Sequence, residues 1–159
     1  MPRFTRSVEI SAPIDQVFEF HTNPRNIIRV APPGSHTELV SASDETLKPG
    51  SRVIVRSTQA GIPVRIEAEV TRIEAPNLLQ DRQVSGPFAH WIHTHRFEKT
   101  PGGARLIDEI DYELPMGPLG SFLMGRLVAR ELRETFAYRQ EQTRRLLENP
   151  VRVEKNDPA

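Results

Sequence analysis

Hydrophobic and polar residues alternate most regularly in two segments on either side of the sequence T-P-G-G at 100–103. Because successive side chains of a β-strand point to opposite faces, this alternation predicts two strands that each have one apolar face. Both apolar faces also carry polar residues, which raise the free energy of the folded state unless they find partners. The predicted inward residues are Trp91, His93, His95 and Phe97 on the first strand and Leu106, Asp108, Ile110, Tyr112 and Leu114 on the second.

The turn between the two strands sets how they pair. A slip by one residue would place inward side chains opposite outward ones, so the pattern excludes it. A slip by two residues is not excluded, but it would place Asp108 opposite Phe97, a poorer cross-strand pair than a carboxylate and an imidazole. With the loop at 100–103, the predicted pairs are Phe97 with Leu106, His95 with Asp108, His93 with Ile110 and Trp91 with Tyr112.

The rest of the chain predicts an α+β protein in which most strands are consecutive. A first strand is followed by two short helices, the first opening at Pro13, and a long helix follows the last strand because residues 119–148 contain no proline. The apolar stripe of that helix has to be covered, so we expect it to cross the whole concave side of the sheet. Strands are predicted at 3–10, 37–41, 52–58, 64–71 and 78–85, followed by the two long strands.

Composition narrows the class of protein. The chain of 159 residues has 21 basic and 21 acidic residues, and this balance argues against binding to nucleic acid. The absence of cysteine removes disulfides, thiolate catalysis and cysteine-ligated metals. The N-terminus lacks the apolar run of a signal peptide and no long apolar stretch follows, so we expect a cytoplasmic protein without membrane insertion. We expect a single domain over residues 1–150 and a disordered tail over 151–159.

Three segments carry a resemblance to a known superfamily. They are V-E-I-S-A-P-I-D-Q-V-F-E-F at 8–20, D-R-Q-V-S-G-P-F-A-H-W-I-H-T-H-R-F-E at 81–98 and D-E-I-D-Y-E-L-P-M-G-P-L-G at 108–120. The chain resembles the START-like or SRPBCC superfamily, and within it the bacterial polyketide cyclase/dehydrase-like ligand-binding proteins. The resemblance implies a helix-grip fold, in which a curved seven-stranded antiparallel sheet wraps around a long C-terminal helix. It also implies a cavity between sheet and helix that holds an apolar or amphipathic molecule, although this fold supports many functions.

Three interpretations of the inward polar residues follow. Two imidazoles on one strand face could chelate a metal with Asp108 as the third ligand, but no further ligand is clearly placed and the resembled family is not known for metals. Alternatively, the polar groups could be satisfied within the core. We favour the third interpretation, a small-molecule site with no metal and no cofactor. Its predicted binding residues are Trp91, His93, His95, Asp108, Tyr112, Asp81, Gln83, Met124 and Val128.

Asp81 and Gln83 belong to this set only if they share the inward face of residues 78–85. Their alternation with Gln80, Arg82 and Val84 does not decide which of the two faces points inward. If Asp81 and Gln83 do point inward, they extend the polar end of the site.

The sequence leaves three functions open. The favoured one is a carrier or sensor of a lipid-, polyketide- or aromatic-like molecule. The second is a cofactor-free cyclase or dehydratase, in which His95 backed by Asp108 is the general base and Tyr112 donates to a developing enolate. The third is a protein-interaction module, which predicts a filled interior and an exposed apolar patch. The ligand and the oligomeric state are not predicted.

Overall fold

The computed structural model describes residues 1–150, so the predicted tail at 151–159 lies outside the described residues. Seven strands form one sheet, and three α-helices and a 3-10 turn at Pro33–Ser35 accompany it. The strands are β1 (Arg3–Ile10), β2 (Glu38–Ala42), β3 (Arg52–Gln59), β4 (Ile62–Glu74), β5 (Leu78–Ser85), β6 (His90–Thr100) and β7 (Gly103–Glu113). The helices are α1 (Ile14–Thr22), α2 (Asn26–Val30) and α3 (Gly117–Glu148). Within residues 1–150, no helix is long and apolar enough to cross a membrane.

The sheet is antiparallel throughout and its strand order is β1-β7-β6-β5-β4-β3-β2. Strands β2 to β7 therefore form a meander, and β1 pairs with β7 at one edge. All four predicted cross-strand pairs between β6 and β7 are confirmed, including His95 opposite Asp108. The predicted α+β helix-grip fold, with its curved sheet and long C-terminal helix, is confirmed.

The first helix closes one end of the sheet. It begins directly after Pro13, whose missing N–H would have no partner in the first helical turn. Its buried face packs against β5, β6 and β7, where the rings of Phe18 and Phe97 meet edge to face at 5.6 Å. Gly103 opens β7 beside the start of α1 with φ of +148°, and a side chain there would meet the backbone of Ile10 and Ala12. The β1–α1 junction therefore requires glycine at this position.

The predicted burial of the α3 stripe is wrong for its first half. Leu132 and Phe136 are buried against the sheet, but Phe122 is 85% exposed and Leu119 53% exposed. The helix spans about 48 Å, and it packs on β1, β7 and α2 instead of crossing the whole sheet. Most of its N-terminal half, residues 117–131, therefore lies beyond the packed region, although Val128 still packs against the core. Several of its apolar side chains border a cavity.

Candidate functional site

Three adjacent strands bring four titratable side chains together on the concave side of the sheet. Asp81 on β5 lies directly opposite His93 on β6, and Asp108 on β7 lies directly opposite His95. The imidazole rings of His93 and His95 are 4.0 Å apart between centroids. The question of which face of β5 points inward is thus answered, because Asp81 and Gln83 both line the cavity on this side.

Asp108 is the centre of this group. One carboxylate oxygen, Oδ1, accepts a hydrogen bond from His93 Nε2 at 2.8 Å. His95 Nδ1 lies 2.8 Å from the same oxygen, although without the alignment of a hydrogen bond. The second oxygen, Oδ2, accepts from Gln140 Nε2 at 2.7 Å. Because Gln140 also donates to the carbonyl of Arg6 on β1, this side chain ties α3 to both β1 and β7.

The protonation states follow from burial and these contacts. Burial alone would raise the pKa of Asp108, but the contacts with His93 and His95 hold that pKa well below its usual range. Burial lowers the pKa values of His93 and His95, and the neighbouring carboxylate opposes this shift only in part. Asp108 is therefore an anion next to two neutral rings, and the His93 ring places its proton on Nε2.

Asp81 differs from Asp108 because no hydrogen-bond donor among residues 1–150 is paired with its carboxylate. Its nearest titratable neighbour is His93, whose Nδ1 lies 3.9 Å from Asp81 Oδ2. Burial raises the pKa of Asp81 to about 6, against the opposing effects of His95 and Arg139. This carboxyl group therefore changes its charge near neutral pH.

His21 reaches the same group from α1. Its Nδ1 donates to the carbonyl of Val17 at 2.7 Å, and its ring lies 4.9 Å from that of His95. Burial, together with His95, lowers the pKa of His21 to about 3. No signal in the sequence indicates that His21 would meet His95.

Arg139 is the functional candidate that the sequence analysis missed. Its guanidinium lies 5.0 Å from the centre of the Phe136 ring, and Phe136 in turn packs edge-on against His93. Burial lowers the pKa of Arg139, while Asp108 and Asp81 act in the opposite direction. Its side chain forms no hydrogen bond or ion pair with any residue in the described part of the chain. The spacing of 136, 139, 140 and 143 along a helix could have indicated a shared face.

Asp81, His93 and His95 could hold a metal ion, since each offers a ligand atom and these atoms lie within 4.8 Å of one another. This set differs from the one considered from sequence, because Asp81 takes the place of Asp108, which instead accepts a hydrogen bond from His93 and orients that ring. The charge of Arg139, which acts on Asp81 and Asp108, opposes a divalent cation at this position. We therefore retain the prediction of no metal.

The four side chains form the polar end of a cavity of about 1000 Å³ between the sheet and α3. Trp91, Met124 and Val128 line its wall, and Arg139 lines it at the polar end. Gln83 also lines it, although its amide is bonded to the backbone N–H and carbonyl of Phe88 and so supports the turn before β6.

Tyr112 lies outside this wall. It is 6% exposed and belongs to a buried cluster with Ile110, Leu132 and Phe136, and its ring meets that of Phe88 at 5.9 Å. It therefore supports the packing behind the site and is not placed as a donor within the cavity.

Solved structures of low sequence identity share this fold. A protein of Thermus thermophilus is 18% identical, with a TM-score of 0.75 over 92% of this chain and 97% of that one. A protein of Mycobacterium smegmatis is 19% identical, with a TM-score of 0.71 over 91% and 90% of the two chains. The major latex-like protein 151 of Panax ginseng is 19% identical, with a TM-score of 0.58 over 84% and 95%. At these identities the likeness concerns the fold alone.

The family comparison covers nearly the whole chain. No curated protein matches the sequence significantly. The model of the family described as polyketide cyclase / dehydrase and lipid transport matches residues 1–148, which include all seven strands and all three helices. The chain therefore belongs to the polyketide cyclase / dehydrase and lipid transport family, within the START-like or SRPBCC superfamily.

Proposed function

We propose that this protein binds a small apolar or amphipathic molecule in the cavity between the sheet and α3, as a carrier or sensor. The observation that carries this proposal is a cavity of about 1000 Å³ with a mainly apolar wall and one polar end. Sites of this kind orient small ligands, because the apolar wall supplies affinity and a few polar groups fix the orientation. The polar end consists of His93, His95, Asp108 and Asp81, with Arg139 beside them.

The competing interpretation as a protein-interaction module predicts a filled interior. The cavity weighs against it, because protein interiors are normally packed with few voids larger than a water molecule. Two exposed apolar residues of α3, Leu123 and Met124, also fit the small-molecule proposal, since both side chains border the cavity. The exposed residues Leu119 and Phe122 do not line it.

The proposal is tested by filling the cavity. Ala68 on β4 lines the wall, so Ala68→Phe should reduce the volume available to a ligand. The matched control is Val84→Phe, because Val84 is 41% exposed on β5 and does not line the cavity. Native mass spectrometry of the purified protein should detect a retained small molecule in the wild type and in Val84→Phe. The molecule should be reduced or absent in Ala68→Phe.

Binding of the apolar fluorophore 1-anilinonaphthalene-8-sulfonate provides a second measurement on the same three proteins. We expect the wild type and the control to bind it and the filled variant to bind it at least about tenfold more weakly. A wild-type protein that retains no molecule and does not bind the fluorophore would refute the proposal. Equal binding by all three proteins would place the binding elsewhere.

A second candidate function is cofactor-free cyclisation or dehydration, and the arrangement of His95 and Asp108 favours it. His95 lines the cavity, its lowered pKa keeps the ring neutral, and Asp108 lies 2.8 Å behind it. A neutral imidazole beside a carboxylate is suited to abstract a proton from an activated carbon. His95→Gln separates the two functions, because a carrier should lose at most some affinity whereas an enzyme should lose turnover and keep binding.

A further inference from the structure

The Arg139 side chain is partly buried at the cavity wall, and its guanidinium has no protein partner among residues 1–150. Long basic side chains on a helix normally extend to water, but this one lies over the ring of Phe136, which is only 3% exposed. Among residues 1–150, no carboxylate or carbonyl accepts from its five N–H groups. An arginine in a partly apolar site leaves these donors unsatisfied unless a ligand or water accepts from them.

The nearby carboxylates do not account for Arg139. Both carboxylate oxygens of Asp108 already have partners, because His93 donates to Oδ1, Gln140 donates to Oδ2, and His95 lies against Oδ1. Asp81 is the remaining acidic group, and it forms no hydrogen bond or ion pair with Arg139. The guanidinium is therefore the strongest uncommitted group at the polar end of the cavity.

We propose that the ligand carries an anionic end group, such as a carboxylate, and that this group pairs with Arg139 while the apolar body lies along the cavity wall. This inference rests on the proposed function. The planar fork of a guanidinium matches the two oxygens of a carboxylate, and charge-assisted hydrogen bonds of this kind are roughly twice as strong as neutral ones. Trp91, Met124 and Val128 on the same wall supply apolar contact for the rest of the molecule.

The orientation of the ligand follows from the position of Arg139 on α3. It lies next to Gln140, whose contacts with Asp108 and Arg6 fix this part of the helix against the sheet. An anion bound there would lie at the polar end of the cavity, and the apolar body would extend toward the part of the wall that Leu123 and Met124 border.

The test compares matched ligands that differ in the end group. Dodecanoate is compared with 1-dodecanol, and 2-naphthoate with 2-naphthol, by isothermal titration calorimetry at about pH 7.5. At this pH both acids are ionised and both alcohols are neutral. We expect the wild type to bind at least one of the acids about tenfold or more tightly than its matched alcohol.

Variants of α3 assign this preference to one residue. Arg139→Gln should reduce the acid-to-alcohol ratio to about one while the affinity for the alcohol changes little. If Arg139→Gln does not fold, Arg139→Met takes its place in the same measurement, because methionine keeps an apolar chain over the Phe136 ring without the charge. The matched control is Arg126→Gln, because Arg126 is an exposed arginine on the same helix, outside the cavity wall, and its loss should leave the ratio unchanged.

The outcomes distinguish this inference from the function on which it rests. If the wild type binds acids and alcohols equally, the inference is wrong and the proposed function survives. A preference for acids that persists in both Arg139 variants would also overturn it. If none of the four probes binds, the result counts against the proposed function itself, and the inference falls with it.

Discussion

Replacing Asp81 by asparagine should stabilise the protein at neutral and alkaline pH but not at acidic pH. The carboxyl group has no paired donor among the described residues, and burial raises its pKa from 3.8 to about 6. Between these two values the folded state binds more protons than the unfolded state. The free energy of unfolding therefore falls as pH rises through this window, and the whole loss is present above about pH 6.

The size of the effect follows from the shift. A difference of about two pKa units corresponds to about 3 kcal/mol. Asp81 keeps 21% of its side chain exposed, so solvent screening should reduce this figure to about 1–3 kcal/mol. Asparagine has nearly the same shape as the protonated carboxyl group. The Asp81→Asn variant therefore avoids the cost of ionisation while preserving the packing.

Urea denaturation of both proteins at about pH 8 and about pH 4 tests the prediction. The free energy of unfolding of the wild type is subtracted from that of the variant at each pH, so that the contributions of groups common to both proteins cancel. We expect the gain of about 1–3 kcal/mol at the higher pH to shrink to a few tenths at the lower. Asp111→Asn is the control with the opposite sign, because Arg3 lowers the pKa of Asp111. It should destabilise the protein at about pH 8. A gain for Asp81→Asn that is equal at both pH values, or a loss at the higher one, would refute the reasoning.

Three further substitutions test the packing, each by urea denaturation at neutral pH. Asp108→Asn should destabilise by about 3–5 kcal/mol, because it removes a buried charge that His93 and Gln140 contact; a loss below about 1 kcal/mol would contradict this. Gly103→Ala should destabilise the protein by at least about 1–3 kcal/mol, because the position has a positive φ and a side chain there would meet the β1–α1 junction. The control is Gly102→Ala, which should change stability little because the surroundings of Gly102 are open. Phe122→Ser should change stability by at most about 0.5 kcal/mol, and a large loss would show that its ring is covered.

The register of β6 and β7 could be predicted because two independent constraints agree. Period-two alternation assigns each residue to a face, and the short turn fixes which inward residues are opposite one another. A slip by two residues would keep the alternation, but it would place Asp108 opposite Phe97, a poorer pair than Asp108 with His95. The predicted pair of His95 with Asp108 is confirmed. The position of Asp81 could not be predicted in the same way, because both faces of residues 78–85 carry polar side chains. Only the pairing of β5 with β6 shows that Asp81 lies opposite His93.

Helical periodicity identified the apolar side of α3 but could not establish what covers it. The prediction assumed that every apolar residue of the stripe would be buried, and Phe122 and Leu119 contradict it. Whether a stripe is covered depends on where the sheet curves away from the helix, which is a long-range property. The role of Gln140 was missed for a related reason. A polar residue within an apolar stripe indicates a buried partner, but the sequence does not identify that partner as Asp108.

The two halves of α3 have different tasks, and this division links the stability of the protein to its proposed function. The C-terminal half holds the helix in place, through Leu132 and Phe136 in the core and through Gln140 on Asp108. The N-terminal half, residues 117–131, contributes little to the core but borders the cavity. A hollow interior forgoes the packing that would otherwise stabilise the fold, so the remaining contacts of the helix must be strong. The buried carboxylate of Asp108 provides such a contact, because it holds Gln140 and thereby fixes the neighbouring Arg139 at the polar end of the cavity. The rest of the cavity remains free to accommodate a ligand.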